Sequence, residues 1–311
     1  MIRLGLIGAG RWGRNFIRTI TNLEGVRLTR LASRNPESKS LVGSDCVVSS
    51  DWRELVDASD LDGIIIATPP ALHGAMASAA VAAGLATLVE KPLVLALAEA
   101  TTLRDLVRAR RGLLMVDHTH IYHPAFGELK KQATKLGRVR TIDAEAGNHG
   151  PYRDDVPVLW DWGPHDVAMC LDLLRELPRE VRATRVAHER VGNAEAETVR
   201  LDLIFANGVE ARIRISNMIA KTRRFAVHCD DGVLVYDDLA QNKLVLHQEV
   251  RGALLQPAGI PITVSPELPL RRVVEAFITA ITEATDRSAS LDLAVEVVAV
   301  LEQCDKALVA S

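Results

Sequence analysis

Aromatic residues are scarce in this chain, making up 4% of its 311 residues. It therefore offers few flat side chains on which nucleobases could stack. The chain also lacks a large excess of either charge, because 37 basic and 40 acidic residues leave a formal net charge of −3. Such a balance gives no electrostatic footprint for nucleic acid. These absences predict that nucleic acid is not a partner.

Cysteine is also rare, and its positions are dispersed. The four cysteines form no CxxC pair and lie far apart in the sequence, at Cys46, Cys170, Cys229 and Cys304. This spacing favours neither a disulfide framework nor a zinc knuckle. A reducing compartment suits such a chain, and we expect a cytoplasmic protein.

One uncharged stretch, from Gly63 to Val89, is long enough to span a bilayer. Prolines and glycines interrupt it, and alanine dominates where a membrane span would have leucine, isoleucine and phenylalanine. We interpret it as a buried strand at 64–67, a turn at Pro69-Pro70, a helix to about residue 83 and a second strand. No membrane partner is expected.

The first third of the sequence alternates apolar strands with helical patterns. The strands are predicted at 2–7, 26–33, 64–67, 85–90 and 113–117, and the helices at about 11–22, 51–57, 71–83 and 95–110. Continuous apolar strands alternating with helices are typical of a parallel sheet covered on both faces. We therefore predict an α/β domain over residues 1–118.

After Asp117 the pattern changes to strands with period-two alternation, joined by turns such as Asn207-Gly208 and Asp231-Gly232. This pattern favours an antiparallel sheet in an α+β domain over residues 119–311. Helices are expected at about 123–136, 164–176, 267–285 and 291–308, with a strand at about 138–147. Packing of the two final helices back onto the first domain is left open.

The segment "GLIGAGRWG" places Gly8, Gly10 and Gly13 in G-x-G-x-x-G spacing between a strand and a helix. The first glycine permits a tight turn, the second lets the backbone approach a pyrophosphate, and the third allows close helix–sheet packing. The phosphate would then meet the amides of the helix N-terminus. This predicts a Rossmann dinucleotide site, to which Arg11 and Trp12 would also contribute.

The end of the second strand bears on the choice of cofactor. NAD enzymes usually have an acidic residue there for the ribose hydroxyls, but no carboxylate appears before Glu37. Ser33 and Arg34 occupy the position, and Lys39 is near. A guanidinium beside a hydroxyl suits a 2′-phosphate, so we predict NADP(H) in preference to NAD(H).

Four motifs, "GAGRWG", "ATPPALH", "EKPL" and "DWGPHD", occur in this order, with "VDHTHIYHPAFGELK" between the last two. Over essentially its whole length the chain resembles the glucose–fructose oxidoreductase / inositol dehydrogenase / MocA family. The resemblance implies an N-terminal Rossmann domain and a C-terminal domain with an open, mostly antiparallel sheet. It also implies hydride transfer between nicotinamide and a secondary alcohol or ketone of a sugar, nucleotide-sugar or polyol, in a homo-oligomer (dimer or tetramer).

By this resemblance Lys91 is a catalytic or substrate-binding lysine, His165 the acid/base histidine and Asp161 a substrate-binding carboxylate. Asp161 is also expected as a third catalytic residue that orients or charge-stabilises His165. Many members have an aspartate three residues after the histidine; here that position is Ala168, and a carboxylate stands at Asp166 instead. Four further residues are expected to contact the cofactor: Thr68, Pro69, His73 and Glu90. The remaining substrate contacts are expected at His118, Tyr122, His149 and Arg153.

Physical arguments support the two proton-transfer candidates. Lys91 ends a predicted parallel strand, where ligands bind in open α/β sheets. Pro92 biases it towards an extended backbone and is expected to follow a cis bond, as in relatives. Because Pro164 favours a first helical turn, His165 is expected near a helix N-terminus, whose dipole would keep the ring neutral.

Two other functions remain open. Retention of the dinucleotide site without catalysis would make the chain an NADPH-binding sensor. The histidines of "DHTHIYH", namely His118, His120 and His123, suggest a metal-dependent hydrolase, since residues two apart on a strand share a face. That alternative leaves the dinucleotide motifs unexplained, and we expect no metal.

Overall fold

The computed structural model describes residues 1–250, 253–254, 259–283 and 289–310. They form two compact units, one of Met1–Thr119 with Leu268–Val298 and the other of His120–Glu267 with Ala299–Ser311. The sequence-based boundary lay after residue 118. The first unit thus contains a segment from near the end of the chain.

The first unit has a six-stranded parallel sheet of order β3-β2-β1-β4-β5-β6. Its strands are β1 (Ile2–Ile7), β2 (Val26–Ala32), β3 (Val47–Ser49), β4 (Gly63–Ile66), β5 (Ala86–Glu90) and β6 (Leu114–Asp117). Its helices are α1 (Arg11–Thr21), α2 (Arg53–Val56), α3 (His73–Ala82), α4 (Leu97–Arg110) and, from the late segment, α7 (Pro269–Glu283). The predicted α/β class is confirmed; the short β3 was missed.

The uncharged stretch forms β4, a 3₁₀ turn at Pro70–Leu72, α3 and β5. All four residues of β4 are buried, as expected of a central strand in a two-sided sheet. Alanines let α3 lie close to α4, and a Cβ on Gly74 would lie 1.9 Å from Glu99 Oε1. None of the described helices combines the length and apolar character needed to cross a bilayer.

The second unit has a mostly antiparallel sheet of order β14-β13-β12-β11-β7-β10-β9-β8, in which β7 and β10 pair in parallel and β15 pairs with β13. Its strands are β7 (Val139–His149), β8 (Glu180–Val191), β9 (Ala194–Ile204), β10 (Glu210–Ser216), β11 (Met218–Cys229), β12 (Gly232–Asp237), β13 (Leu244–Val250), β14 (Ala253–Leu254) and β15 (Ile260–Pro261). Gly208, with φ +85°, stands in the predicted turn between β9 and β10. The predicted antiparallel sheet is confirmed.

Two helices lie wholly in the second unit: α5 (Pro124–Ala133) and α6 (Val158–Leu174). The last helix, α8 (Ala289–Ala310), contributes to both units. The predicted start of α6 at residue 164 is wrong. The helix begins six residues earlier, and Pro164 lies inside it.

Candidate functional site

The three glycines of the G-x-G-x-x-G segment differ in what a side chain at each position would meet. Gly8 has φ +98°, and a Cβ there would lie 2.4 Å from the carbonyl oxygen of Ala67. A Cβ on Gly13 would lie 2.0 Å from the Gly8 oxygen, whereas one on Gly10 would meet nothing within 4 Å. Gly8 and Gly13 therefore serve the fold, and Gly10 leaves open space at the start of α1.

That open space suits a phosphate. The N-cap of α1, Gly10, makes no side-chain capping hydrogen bond, and the first turn holds no acidic residue. The orphan amides of a helix N-terminus and its positive dipole end then point towards a potential anion. The residues present fit the pyrophosphate of a dinucleotide.

A cavity of about 590 Å³ opens beside this loop at the carboxyl ends of β1, β2 and β4. Among the predicted cofactor residues, Gly8, Gly10, Ser33, Arg34, Thr68 and Pro69 line it. Arg34 is exposed, while the Ser33 hydroxyl is hydrogen-bonded to Ser38 Oγ at 2.8 Å. Lys39 is exposed in the 3₁₀ segment Pro36–Leu41 and does not line this cavity.

Sequence reasoning missed the far wall of the cavity, Ser50–Arg53. Arg53 lies over the Trp52 ring at 4.8 Å and pairs with Asp51 at 3.3 Å. The segment follows β3, which lies beside β2 in the sheet. The signal was the short apolar pair Val47-Val48 followed by "SSDW", too brief to stand out as a strand.

Two predicted cofactor residues line other cavities of the first unit. Arg11 lies with Arg14 and Arg18 along a cavity of about 560 Å³ that also reaches Gly10. Trp12 lines one of about 530 Å³ with Leu268–Arg271.

His73 has a structural role that the sequence did not reveal. Its ring is fully buried, with Nε2 2.8 Å from the Thr68 oxygen and Nδ1 2.8 Å from the Pro92 oxygen. Burial lowers its pKa. His73 thus connects the loop after β4 to the loop after β5, and its direct contact with the cofactor stays a prediction.

Lys91 follows β5 and is half-buried, and the Lys91-Pro92 bond is cis, as expected. Beneath it, Glu90 lies opposite Asp117 in the pairing of β5 with β6. Glu90 Oε2 accepts the Lys91 amide, and Asp117 Oδ1 accepts the Thr119 hydroxyl. Glu90 is thus a buried side chain under the lysine.

Burial raises the pKa of both carboxyls, that of Asp117 to about 6 and that of Glu90 well above its ordinary value. The nearby charge of Asp117 adds to the effect on Glu90. One oxygen of each carboxyl, Glu90 Oε1 and Asp117 Oδ2, is buried and receives no hydrogen bond from another group. A proton shared between them accounts for both atoms, as in other close carboxyl pairs.

His118 follows this pair and is almost completely buried. Burial lowers its pKa to about 3, so the ring is neutral at physiological pH. Tyr122 ends a 3₁₀ turn, Thr119–Tyr122, and is half-buried.

In the second unit, α6 carries Asp161 in its first turn and His165 in its interior. His165 therefore does not lie near a helix N-terminus, and the expected effect of the helix dipole on its ring is wrong. Pro157 precedes the helix in an extended conformation, and the buried Glu197 accepts the amide of Val158 at 3.2 Å. These features, not Pro164, start the helix.

Asp166 is fully buried and pairs with Arg223 at 2.9 Å. Burial raises the Asp166 pKa, and the Arg223 guanidinium opposes that shift. The carboxylate that follows the histidine in this sequence thus forms a buried ion pair that joins α6 to β11.

Of the other predicted substrate residues, Arg153 lies in the loop before α6 and His149 ends β7. Arg153 binds Asp155 through two hydrogen bonds, at 2.6 and 2.7 Å, and reaches Asp161 at 3.3 Å. His149 Nδ1 lies 3.4 Å from the Tyr152 hydroxyl. Arg153 thereby orients Asp161 from outside the helix.

The metal alternative receives no support from the described ranges, in which no group of three or more histidine, cysteine, aspartate or glutamate side chains could hold a metal ion. His123 caps α5 by accepting the Ala125 amide at its Nδ1, which occupies one ring nitrogen.

Comparisons with known sequences agree with this geometry. Residues 2–118 match the family profile "Oxidoreductase family, NAD-binding Rossmann fold", and residues 131–235 match the "GFO/IDH/MocA C-terminal domain". UDP-N-acetylglucosamine 3-dehydrogenase of Acidithiobacillus ferrooxidans is 28% identical over 90% of this chain and 88% of its own. The NADP(+) scyllo-inositol 2-dehydrogenase of Bacillus subtilis is 24% identical over 91% and 89%.

A solved structure from Magnetospirillum magnetotacticum MS-1, provisionally assigned as an oxidoreductase, has a TM-score of 0.91 and 45% identity, covering 97% of this chain and 99% of its own. The Acidithiobacillus dehydrogenase structure has a TM-score of 0.84 and 25% identity, covering 99% and 98%. With both profiles matched in order, this chain belongs to the glucose–fructose oxidoreductase / inositol dehydrogenase / MocA family of NAD(P)-dependent oxidoreductases acting on CH–OH groups.

Proposed function

We propose that this protein transfers hydride between NADP(H), in preference to NAD(H), and a secondary alcohol or ketone of a sugar, nucleotide-sugar or polyol. The observation that carries the proposal is the cavity at the carboxyl ends of β1, β2 and β4, with the glycine loop on one side and Arg34 and Arg53 on the others. The named substrates of the two dehydrogenases, UDP-N-acetylglucosamine and scyllo-inositol, support the substrate class.

The preference for NADP(H) rests on charge. Arg34 is exposed at the cavity and follows β2, where a 2′-phosphate would be recognised. The carboxylate on the cavity wall, Asp51, is paired with Arg53 and is less available for ribose hydroxyls than an unpaired acid. The Bacillus subtilis relative is named for NADP(+).

The bound nicotinamide would supply hydride acceptance or donation at its C4 atom. The chain's own residues would handle the hydroxyl proton, with Lys91 and His165 as the proposed groups. Asp161, oriented by Arg153, would bind substrate hydroxyls. His118, Tyr122 and His149 remain proposed substrate contacts, and Arg11 and Trp12 proposed cofactor contacts.

The test of activity is a panel of sugars, nucleotide-sugars and inositols with NADP⁺ or NAD⁺, followed by absorbance of the reduced cofactor. We expect oxidation of at least one panel member, and loss of about 100-fold or more in kcat/KM for Lys91→Ala and His165→Ala. Cofactor binding without turnover of any member would contradict the enzymatic proposal and favour a sensor.

Cofactor choice is tested separately, by fluorescence titration with NADPH and NADH. Arg34→Ala should weaken NADPH binding about tenfold or more, because a charge-assisted contact is lost, and leave NADH binding unchanged. Arg27→Ala, which removes an exposed arginine paired with Asp45, is the matched control. Tighter binding of NADH than NADPH by the unmodified protein would refute the preference.

We also retain the proposals of a homo-oligomer and of a cytoplasmic location. Sedimentation velocity measures the first, and cell fractionation measures the second.

A further inference from the structure

The second unit contains a chain of ionisable side chains beside His165 that the proposed reaction does not use. It consists of His120, Tyr236, Asp238 and His123, which we call the Tyr236 cluster. His120 and His123 lie before α5, whereas Tyr236 and Asp238 lie in and just after β12. More than a hundred residues of sequence separate the two pairs.

The outer end of the cluster is an ionised carboxylate. Because His123 Nδ1 accepts a backbone amide, its proton lies on Nε2, which is 3.4 Å from Asp238 Oδ1. This hydrogen bond from His123 lowers the pKa of Asp238 to about 2. With 33% of its side chain exposed, Asp238 also contacts solvent.

The middle of the cluster is a buried phenol. Tyr236 is fully buried, and burial together with the Asp238 charge raises its pKa, so the phenol stays protonated. Asp238 is a side-chain hydrogen-bond partner of the Tyr236 phenol. Because an ionised carboxylate only accepts hydrogen bonds, the phenolic proton lies on the Asp238 side. The Tyr236 oxygen, 3.0 Å from His120 Nδ1, is then the acceptor. In this arrangement His120 donates from Nδ1 to the phenolic oxygen.

His120 in turn contacts His165. The two rings meet edge to face, with centroids 4.8 Å apart. At this distance the charge on one imidazole affects proton uptake by the other, since like charges oppose each other. A His120 ring held in place as a neutral imidazole would let His165 take a proton without a second cation beside it.

We propose that Tyr236 and Asp238 are positioning residues that hold His120 as its neutral Nδ1–H tautomer against His165. This inference rests on the proposed function, in which His165 exchanges a proton with the substrate hydroxyl. The cluster acts on the proton affinity of His165 and not on cofactor binding.

We expect the other charged groups near the two histidines to stay in place when the phenol is removed, because the phenol does not hold them. Those on α6 are Asp161 and Asp166, the second of which is balanced by Arg223 of β11. The Lys243 ammonium binds the backbone oxygen of Asp238. A change in the pH profile after loss of the phenolic oxygen would therefore report on the cluster.

The experiment is Tyr236→Phe in the full chain, which keeps the buried ring and removes one oxygen. We expect kcat with a panel substrate to fall about tenfold and the pH–rate profile to shift by about half a pH unit or more, with cofactor affinity unchanged. Thr198→Val is the matched control, because it removes another buried hydroxyl of the same sheet, bonded to Ser216 at 2.7 Å. It should leave the pH profile unchanged.

Nitrogen-15 NMR of the histidine rings provides a readout independent of turnover. The unmodified protein should show His120 protonated on Nδ1, and Tyr236→Phe should lose that preference. An Nε2–H tautomer in the unmodified protein, or an unchanged pH profile in the variant, would overturn the inference. Absence of turnover on the whole panel would refute the proposed function, and the tautomer measurement would still decide the positioning role.

Discussion

At the residue scale, Gly10 and Gly13 differ in what a methyl group would meet. A Cβ on Gly13 would clash with the Gly8 oxygen at 2.0 Å, whereas one on Gly10 would enter open space. One glycine of the loop is thus required by the fold, and the other is placed where a ligand would approach.

These two positions give a matched pair of variants. Gly13→Ala should destabilise the protein by about 1–3 kcal/mol through overpacking and weaken dinucleotide binding. Gly10→Ala should leave the unfolding temperature nearly unchanged and weaken binding about tenfold or more, because its methyl group would occupy the space for the pyrophosphate. Thermal unfolding and cofactor titration measure the two effects. Equal unfolding temperatures for both variants would contradict this assignment.

The buried Asp117 gives a pH dependence of known sign. Its pKa is raised to about 6 by burial, so between about pH 4 and pH 6 the folded protein holds this proton more tightly than the unfolded chain. Stability should therefore fall as the pH rises through that window, by at most about 1.4 kcal/mol per pH unit. Asp117→Asn should flatten the decline in denaturant unfolding measured across pH 4–7. If the free energies of unfolding of the two proteins differed by the same amount at every pH in this range, Asp117 would not titrate there.

At the element scale, α6 depends on a residue far along the sequence. Glu197 Oε1 accepts the first amide of the helix, and Arg185 holds its Oε2 at 3.2 Å. The Glu197 amide in turn donates to the side chain of the buried Asn217 at 2.7 Å. The start of the helix that carries Asp161 and His165 is thereby fixed to β9.

Removal of this support should affect both stability and activity. Glu197→Ala should cost about 1–2 kcal/mol in the free energy of unfolding, as loss of a helix cap does, and should lower kcat more than it raises KM. Glu210→Ala, in the same sheet, removes a half-exposed carboxylate paired with Arg212 and should change stability by less than about 0.5 kcal/mol. Similar effects of the two substitutions would exclude a special role for Glu197.

At the scale of the whole molecule, the first unit is completed only when the chain returns with Leu268–Val298. Phe277 of α7 is fully buried, and a Cβ on Gly63 of β4 would approach its ring to 3.1 Å. Ser290 Oγ also accepts the amide of Val116 at 3.1 Å. The dinucleotide-binding sheet therefore depends on residues far from its own sequence motifs.

This dependence predicts that Phe277→Ala lowers the free energy of unfolding by about 3–5 kcal/mol. Dinucleotide binding by the variant should be lost together with its denaturant unfolding transition. Leu268→Ala, at a position 70% exposed, is the control and should cost less than about 0.5 kcal/mol. Denaturant unfolding followed together with cofactor binding measures both. Binding that outlasts the unfolding transition of the variant would contradict the prediction.

The sequence by itself determined the features that depend on local chemistry. Glycine spacing, strand–helix alternation and hairpin turns predicted both sheets, and the interrupted uncharged stretch predicted β4, α3 and β5. Each of these depends on backbone freedom or hydrophobic period within a few residues. The order and spacing of the four motifs also indicated the family.

Only the tertiary structure decided features that join distant parts of the chain. The pairing of Glu90 with Asp117, the burial of His73 and the contact of His120 with Tyr236 all follow from strand register and loop packing. The start of α6 was mispredicted because Pro164 is a strong local signal, whereas the cap from Glu197 is 39 residues away. Local propensity is set by each residue and its neighbours, while hydrogen-bond partners and desolvation are set by the fold, which is why those features needed the structure.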